Sequence, residues 1–133
     1  MTTKRNVMVV DDDDLVHLIS KKILSAYACI SHVYSAYNGK EALELLHRSC
    51  EGAIKIPAVV LLDLHMPVMN GFQFMEEVKQ MDCLKGSKVV TVMFSSTIDP
   101  REIEQAQSLG IEYFFSKPIV MEKIETVFKR EFC

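Results

Sequence analysis

The sequence predicts an α/β domain: a parallel five-stranded sheet with helices on both faces. Three observations carry this. Short apolar runs alternate with helical stripes five times along the chain. Three of those runs, Val7–Val10, Ala58–Leu62 and Val89–Phe94, are continuously apolar, the pattern of a strand whose two faces are both covered by helices. The chain is 133 residues long, which suits one domain spanning residues 1–133 and excludes an eight-unit barrel of about 250 residues.

Taken in order, Val7–Val10 is the first strand and runs into Asp11–Asp14. Asp13 and Asp14 are expected to open the first helix, where the helix dipole favours negative charge. Its stripe is Leu15, Leu18, Ile19, Ile23 and Ala26. Ile30–Tyr34 is the second strand. Asn38-Gly39 starts the second helix, striped by Ala42, Leu45 and Leu46. Ala58–Leu62 is the third strand, and Phe72, Met75, Val78 and Met81 stripe the third helix. Val89–Phe94 is the fourth strand. The fourth helix begins at Asp99-Pro100, an N-cap followed by proline, carries Ile103, Ala106 and Leu109, and stops at Gly110. Ile111–Phe115 is the fifth strand, and Val120, Ile124, Val127 and Phe128 stripe the last helix. Strict alternation with right-handed crossovers leaves few topologies. Five strands point to a three-layer (βα)5 flavodoxin-like sheet in the order 2-1-3-4-5.

Charge and composition narrow the function. The net charge of −3 argues against coating nucleic acid. No apolar run is long enough to span a bilayer, and the MTTKRN start leads into aspartates rather than a secretory core. The cysteines, Cys29, Cys50, Cys83 and Cys133, form no CxxC pair. Without an export signal they read as reduced thiols in a cytoplasmic protein. His17, His32, His47 and His65 are as scattered, so a histidine–cysteine metal site is not expected.

In open α/β sheets the functional crevice lies beyond the carboxyl ends of the strands, at the switch between strands 1 and 3. Asp11 and Asp12 follow strand 1, Asp63 follows strand 3, Ser95 and Ser96 follow strand 4, and Lys117 follows strand 5. Carboxylates gathered there repel one another unless one protonates or a cation joins them. An oxygen-rich acidic pocket suits Mg²⁺. A carboxylate nucleophile, a divalent ion, a lysine and a hydroxyl together suit phosphoryl transfer.

Four segments then resemble one family. VMVVDDDD (Val7–Asp14), VVLLDLHMPVMNG (Val59–Gly71), VTVMFSS (Val90–Ser96) and YFFSKP (Tyr113–Pro118) occur in the order and spacing of the receiver domain of two-component response regulators, of which the single-domain chemotaxis regulators are the simplest. The resemblance covers essentially the whole chain and assigns roles by position. Asp63 would accept a phosphoryl group from a sensor histidine kinase or histidine phosphotransfer protein. Asp12 and Asp63 would hold Mg²⁺, or Mn²⁺ in its place, with Asp11 and the backbone carbonyl of His65. Ser95 and Lys117 would each contact a phosphoryl oxygen. Ser95 and Phe114 would be the switch pair, and the Lys117–Pro118 peptide would be cis. Phosphorylation would then alter the surface of helix 4, strand 5 and helix 5 for a downstream protein target.

The chain departs from the family at few positions. Asn70 stands where the family has aspartate before Gly71, and either residue supports a turn. Phe114 lacks a hydroxyl, so its switching rests on burial. His65, two residues after the acceptor, and Ser96, which follows the switch hydroxyl, are expected to modulate hydrolysis and access. With the fifth helix ending near Arg130, signalling by docking, or by passing phosphate onward, is expected. Such a protein acts as a phosphoacceptor and not as an enzyme on other substrates, as a monomer or weak dimer, without nucleic acid or membrane. Two alternatives remain open from the sequence. One is an adaptor that works without phosphorylation. The other is a haloacid-dehalogenase-type phosphatase with Asp12 as nucleophile, since Asp12, Asp14 and Val16 fit its DxDx[VT] pattern. Flavin binding would need a phosphate-cradling loop after strand 1, where the aspartates would repel the phosphate.

Overall fold

The computed structural model of the chain describes residues 4–97 and 99–132. Cys133 and the first three residues of the amino-terminal segment read above lie outside them. Five strands, β1 (Arg5–Val10), β2 (Ile30–Ala36), β3 (Val59–Asp63), β4 (Val90–Ser95) and β5 (Tyr113–Ser116), alternate with α1 (Asp14–Leu24), α2 (Gly39–Cys50), α3 (Gly71–Lys79), α4 (Pro100–Ser108) and α5 (Met121–Glu131). The strands form one sheet in the order β2-β1-β3-β4-β5, and every pairing is parallel. This is the predicted topology.

The apolar runs are continuous because successive side chains enter two different cores. Val7, Val9, Val59, Leu61, Val92 and Phe94 pack with Leu24 of α1 and Ile124, Val127 and Phe128 of α5. Met8, Val10, Val60, Leu62 and Met93 point the other way, onto Ala42 and Leu46 of α2, Phe72 and Met75 of α3, and Ala106 of α4. Each of the first four helices starts on a side-chain cap. Asp13, Asn38, Asn70 and Asp99 accept from the backbone N–H of Leu15, Glu41, Gln73 and Arg101. Asn70 and Gln73 complete a capping box, so the asparagine in place of aspartate starts α3. Gly110 ends the α4 segment with φ at 85°, a conformation suited to glycine. Among the described residues no helix is long and apolar enough to cross a membrane.

Two sequence expectations fail. Most of the predicted α1 stripe does not face the core, and of its residues within the helix only Ile23 packs against it. Leu15, Leu18 and Ile19 are 58%, 66% and 39% exposed, and the buried residues are His17, Ser20 and Leu24. The Asp13 cap fixes where the helix starts, and the His17 ring reaches back to the Asp11 carbonyl at 2.7 Å. The helix is thereby phased about one residue away from its most apolar stripe. The second failure concerns the thiols, which are not reduced: Cys29, Cys50 and Cys83 are all disulfide-bonded. Cys50, at the end of α2, is joined by a disulfide to Cys83, in the 3-10 turn Asp82–Leu84 that follows α3. Their Cα atoms lie 5.7 Å apart, within the ordinary range for a bridge. Reading cysteines by spacing in sequence could not foresee a pair 33 residues apart that the α2–α3 packing brings together. Met81, assigned to the third helical stripe, lies past the end of α3 and remains buried.

Candidate functional site

Register builds the site. Val10 of β1 pairs with Leu62 of β3, so the next residues, Asp11 and Asp63, reach the carboxyl rim of the sheet side by side. Ser95, the last residue of β4, pairs with Ser116 of β5, which brings Lys117 to the same rim. The Lys117 N–H donates to the Ser95 carbonyl at 2.8 Å. The Lys117–Pro118 peptide is cis.

One carboxylate oxygen each from Asp11, Asp12 and Asp63 lies within 4.8 Å of the others. Asp11 and Asp63 are buried and Asp12 is exposed. Lys117 Nζ donates to Asp11 Oδ2 at 2.8 Å and stands 3.4 Å from Asp63 Oδ1. The other Asp11 oxygen accepts from the Asp13 N–H at 2.9 Å. Asp63 Oδ1 accepts a long bond, at 3.4 Å, from the His65 N–H. Asp63 is thus the less compensated of the two buried carboxylates. Burial, and then the Asp11 charge, push its pKa up to about 6, against the opposing pull of Lys117 and the His65 N–H. For Lys117, burial works against the ammonium. The Asp11 hydrogen bond and charge, with those of Asp63, outweigh it and raise its pKa.

The β3–α3 loop is held tightly behind Asp63. A Cβ on Gly71 would meet the Asp63 carbonyl oxygen at 3.0 Å and Leu64 Cα at 3.1 Å, so only glycine lets α3 start this close to the strand. Val68 in the same loop is exposed and has φ at 71°, a strained conformation for a β-branched residue.

Three carboxylates and a lysine at the rim of a 2-1-3-4-5 sheet form an acidic pocket, and the comparisons with known proteins give it a context. The sequence profile of the response regulator receiver domain matches residues 7–129. The chain belongs to the response regulator receiver family. The two-component response regulator ARR17 of Arabidopsis thaliana is 30% identical over 132 residues, covering 94% of this chain and 83% of its own length. The two-component response regulator ORR1 of Oryza sativa subsp. indica is 29% identical over 125 residues, covering 92% of this chain and 53% of its own. The receiver therefore spans about half the length of the ORR1 relatives. The solved structure of a two component response regulator from Cytophaga hutchinsonii superposes with a TM-score of 0.82 at 25% identity, covering 96% of each chain.

In this receiver domain Asp11, Asp12, Asp63 and Lys117 converge as a group. Ser95 is fully buried at the end of β4, and its hydroxyl oxygen accepts a long 3.3 Å bond from the Thr97 N–H. Ser96 is exposed beside it. Phe114 is half-buried and packs on the core face that holds α3 and α4, whereas its neighbours Tyr113 and Phe115 pack on the α1 and α5 face. The exposed His65 side chain turns away from the carboxylates toward α4, with Nε2 at 3.4 Å from Glu102 Oε2. Sequence reasoning missed His17 and Glu102. His17 is 3% exposed, supports the Asp11 backbone and lies against the Tyr37 ring at 4.3 Å. Nothing in its sequence position marked it, because the contact depends on where α1 begins. Glu102 became visible only once α4 was placed beside the β3–α3 loop.

Proposed function

We propose that this receiver works as a phosphoacceptor in a two-component phosphorelay, taking a phosphoryl group from a phosphohistidine donor onto Asp63. The observation that carries this reading is the placement of Lys117 between two buried carboxylates, one of which is poorly compensated. The Asp63 oxygen attacks phosphorus, the O–P bond forms and the N–P bond breaks, and the donor imidazole leaves with the electron pair. Lys117 has a short move from Asp11 to a phosphoryl oxygen on Asp63. Ser95 supplies a hydroxyl at the same rim.

The donor set also fits a divalent ion. Three clustered carboxylates with one raised pKa are an all-oxygen site short of positive charge, which favours Mg²⁺, or Mn²⁺ in its place. Asp11, Asp12 and Asp63 would hold it, with the His65 carbonyl. When bound, it would supply charge neutralisation for the phosphoryl oxygens.

Phosphorylation then acts as a switch. The phosphoryl group draws Ser95 toward it, and Phe114 rotates deeper against the α4 side, changing the α4–β5–α5 surface that a downstream protein reads. The chain is a signalling protein and not an enzyme on other substrates, with its partners in the cytoplasm. The deciding experiment is intact-mass spectrometry after incubation with acetyl phosphate, with and without Mg²⁺, on the natural chain, Asp63→Asn and Asp12→Asn. A Mg²⁺-dependent gain of one phosphoryl group, lost in Asp63→Asn, is expected. A gain that survives in Asp63→Asn and is lost in Asp12→Asn would assign the nucleophile to Asp12 instead. No gain, from acetyl phosphate or from phosphohistidine donors, would leave an adaptor that works without phosphorylation.

A further inference from the structure

We propose that Cys50 and Cys83 form a reversible thiol–disulfide exchange site whose co-reactant is a low-molecular-weight thiol and its disulfide. The two residues are bonded across a separation of 33 residues. Cys83 is exposed and Cys50 is half-buried, so the outer sulfur is open to an external thiolate. Exposed disulfides are the labile ones, whereas bonds that resist reduction are shielded.

The surroundings let the bond open without unfolding the chain. The 3-10 turn that carries Cys83 is anchored by Met81 and Leu84, which are 8% and 6% exposed and belong to the same core as Ala42, Leu46 and Met75. The end of α2 is held by its own backbone, with the Glu51 N–H donating to the His47 carbonyl at 3.0 Å. Both the bonded and the open forms therefore keep the α2–α3 contact, and a site of this kind needs two folded states.

The bond is also remote from the carboxylates. The α2 helix begins at the carboxyl rim, where Gly39 packs on Met69 of the β3–α3 loop. It runs back from that rim and ends at Cys50, before the chain enters β3 from the amino end of the sheet. Opening the bond changes how firmly the far end of the α2–α3 face is held and leaves Asp63 and Lys117 in place.

The step balances in two exchanges. A thiolate attacks Cys83 Sγ, giving a mixed disulfide and the Cys50 thiolate. A second thiolate attacks the outer sulfur of that mixed disulfide and releases the Cys83 thiolate. Two small thiols are oxidised to one disulfide while the protein disulfide gains two electrons and becomes two thiols. Oxidation by the small disulfide is the reverse.

The test equilibrates the natural, folded chain in glutathione buffers running from reduced to oxidised, quenches with an alkylating reagent, and maps tryptic peptides. Residues 49–55 and 80–85 should appear as one cross-linked pair under oxidising buffers and as two alkylated peptides under reducing ones, with the same midpoint from both directions. Closing a loop of this length should raise Tm by about 10 °C in the oxidised form. Cys50→Ser and Cys83→Ser should each remove this contribution and leave only what the disulfide at Cys29 adds. Acetyl phosphate labelling of Asp63 should be the same in both forms, and its absence in both would count against the phosphoacceptor reading alone. A pair that stays cross-linked in the most reducing buffer while the chain is folded, a pair that never cross-links, or a Tm shift as large in Cys50→Ser as in the natural chain would each overturn the proposal.

Discussion

Lys117 Nζ lies 2.8 Å from Asp11 Oδ2, closer than the 3.4 Å that separates it from Asp63 Oδ1. The lysine is docked on the neighbour of the proposed acceptor, and its contact with the acceptor is the looser one. Both carboxylates are buried, so the lysine holds together a cluster that otherwise repels itself.

Lys117→Ala should therefore destabilise the protein by about 2 kcal/mol at pH 7, because it leaves buried carboxylates without their cation. The loss should shrink toward pH 5, as Asp63 takes up a proton. Denaturant melts of the variant and the natural chain at the two pH values measure this. A loss that does not change with pH would mean that Lys117 contributes packing and not charge.

The sign of the Asp63 effect runs opposite to that of an ordinary salt-bridged aspartate. Its pKa is raised in the folded protein to about 6, from 3.8. The folded state therefore binds more protons between those values, and the carboxylate costs stability above pH 6 and nothing below about pH 4. Asp63→Asn should stabilise the metal-free protein at pH 7 by about 1–2 kcal/mol once solvent screening is allowed for, and by close to nothing at pH 4. Saturating Mg²⁺ should raise the Tm of the natural chain more than that of the variant, and EDTA should reverse it. Equal stability at pH 7 would show that Lys117 already neutralises the site.

Two helix-starting glycines should differ sharply. A Cβ at Gly71 meets backbone of Asp63 and Leu64 at 3.0 and 3.1 Å, while one at Gly39 meets the side chain of Met69 at 2.8 Å. A methionine side chain can move aside and a strand end cannot. Gly71→Ala should cost about 2 kcal/mol and slow Asp63 phosphorylation by disturbing its backbone. Gly39→Ala should cost about half that or less and leave phosphorylation unchanged. Chemical denaturation and acetyl phosphate labelling of both variants check it.

At the end of α5, Glu131 accepts from the Tyr113 hydroxyl at 2.7 Å and pairs with Lys88 at 2.9 Å. These contacts lower its pKa. Its contribution is thus present above the ordinary glutamate pKa and is lost as pH falls below it. Tyr113→Phe should lower stability by about 1 kcal/mol at pH 7. The difference should diminish as the carboxylate protonates in acid. Thermal melts of the two chains across that range would contradict this if the gap widened.

The α/β class, the strand order and the convergence of Asp11, Asp12, Asp63 and Lys117 were legible in the residues alone. Each of these rests on local signals: continuous apolar runs, capping residues such as Asp99, and a polar residue just after each strand. Parallel register does the rest, since it carries strand ends to one rim whatever the details of packing. Tertiary structure alone decided the face that α1 buries, the disulfide of Cys50 with Cys83, the turn of His65 toward Glu102, and the docking of Lys117 on Asp11. Leu15, Leu18 and Ile19 had the spacing of a buried stripe, yet His17 faces inward because its ring bonds the Asp11 carbonyl. These outcomes depend on how two elements distant in sequence approach each other, and neither periodicity nor spacing within one element encodes that distance.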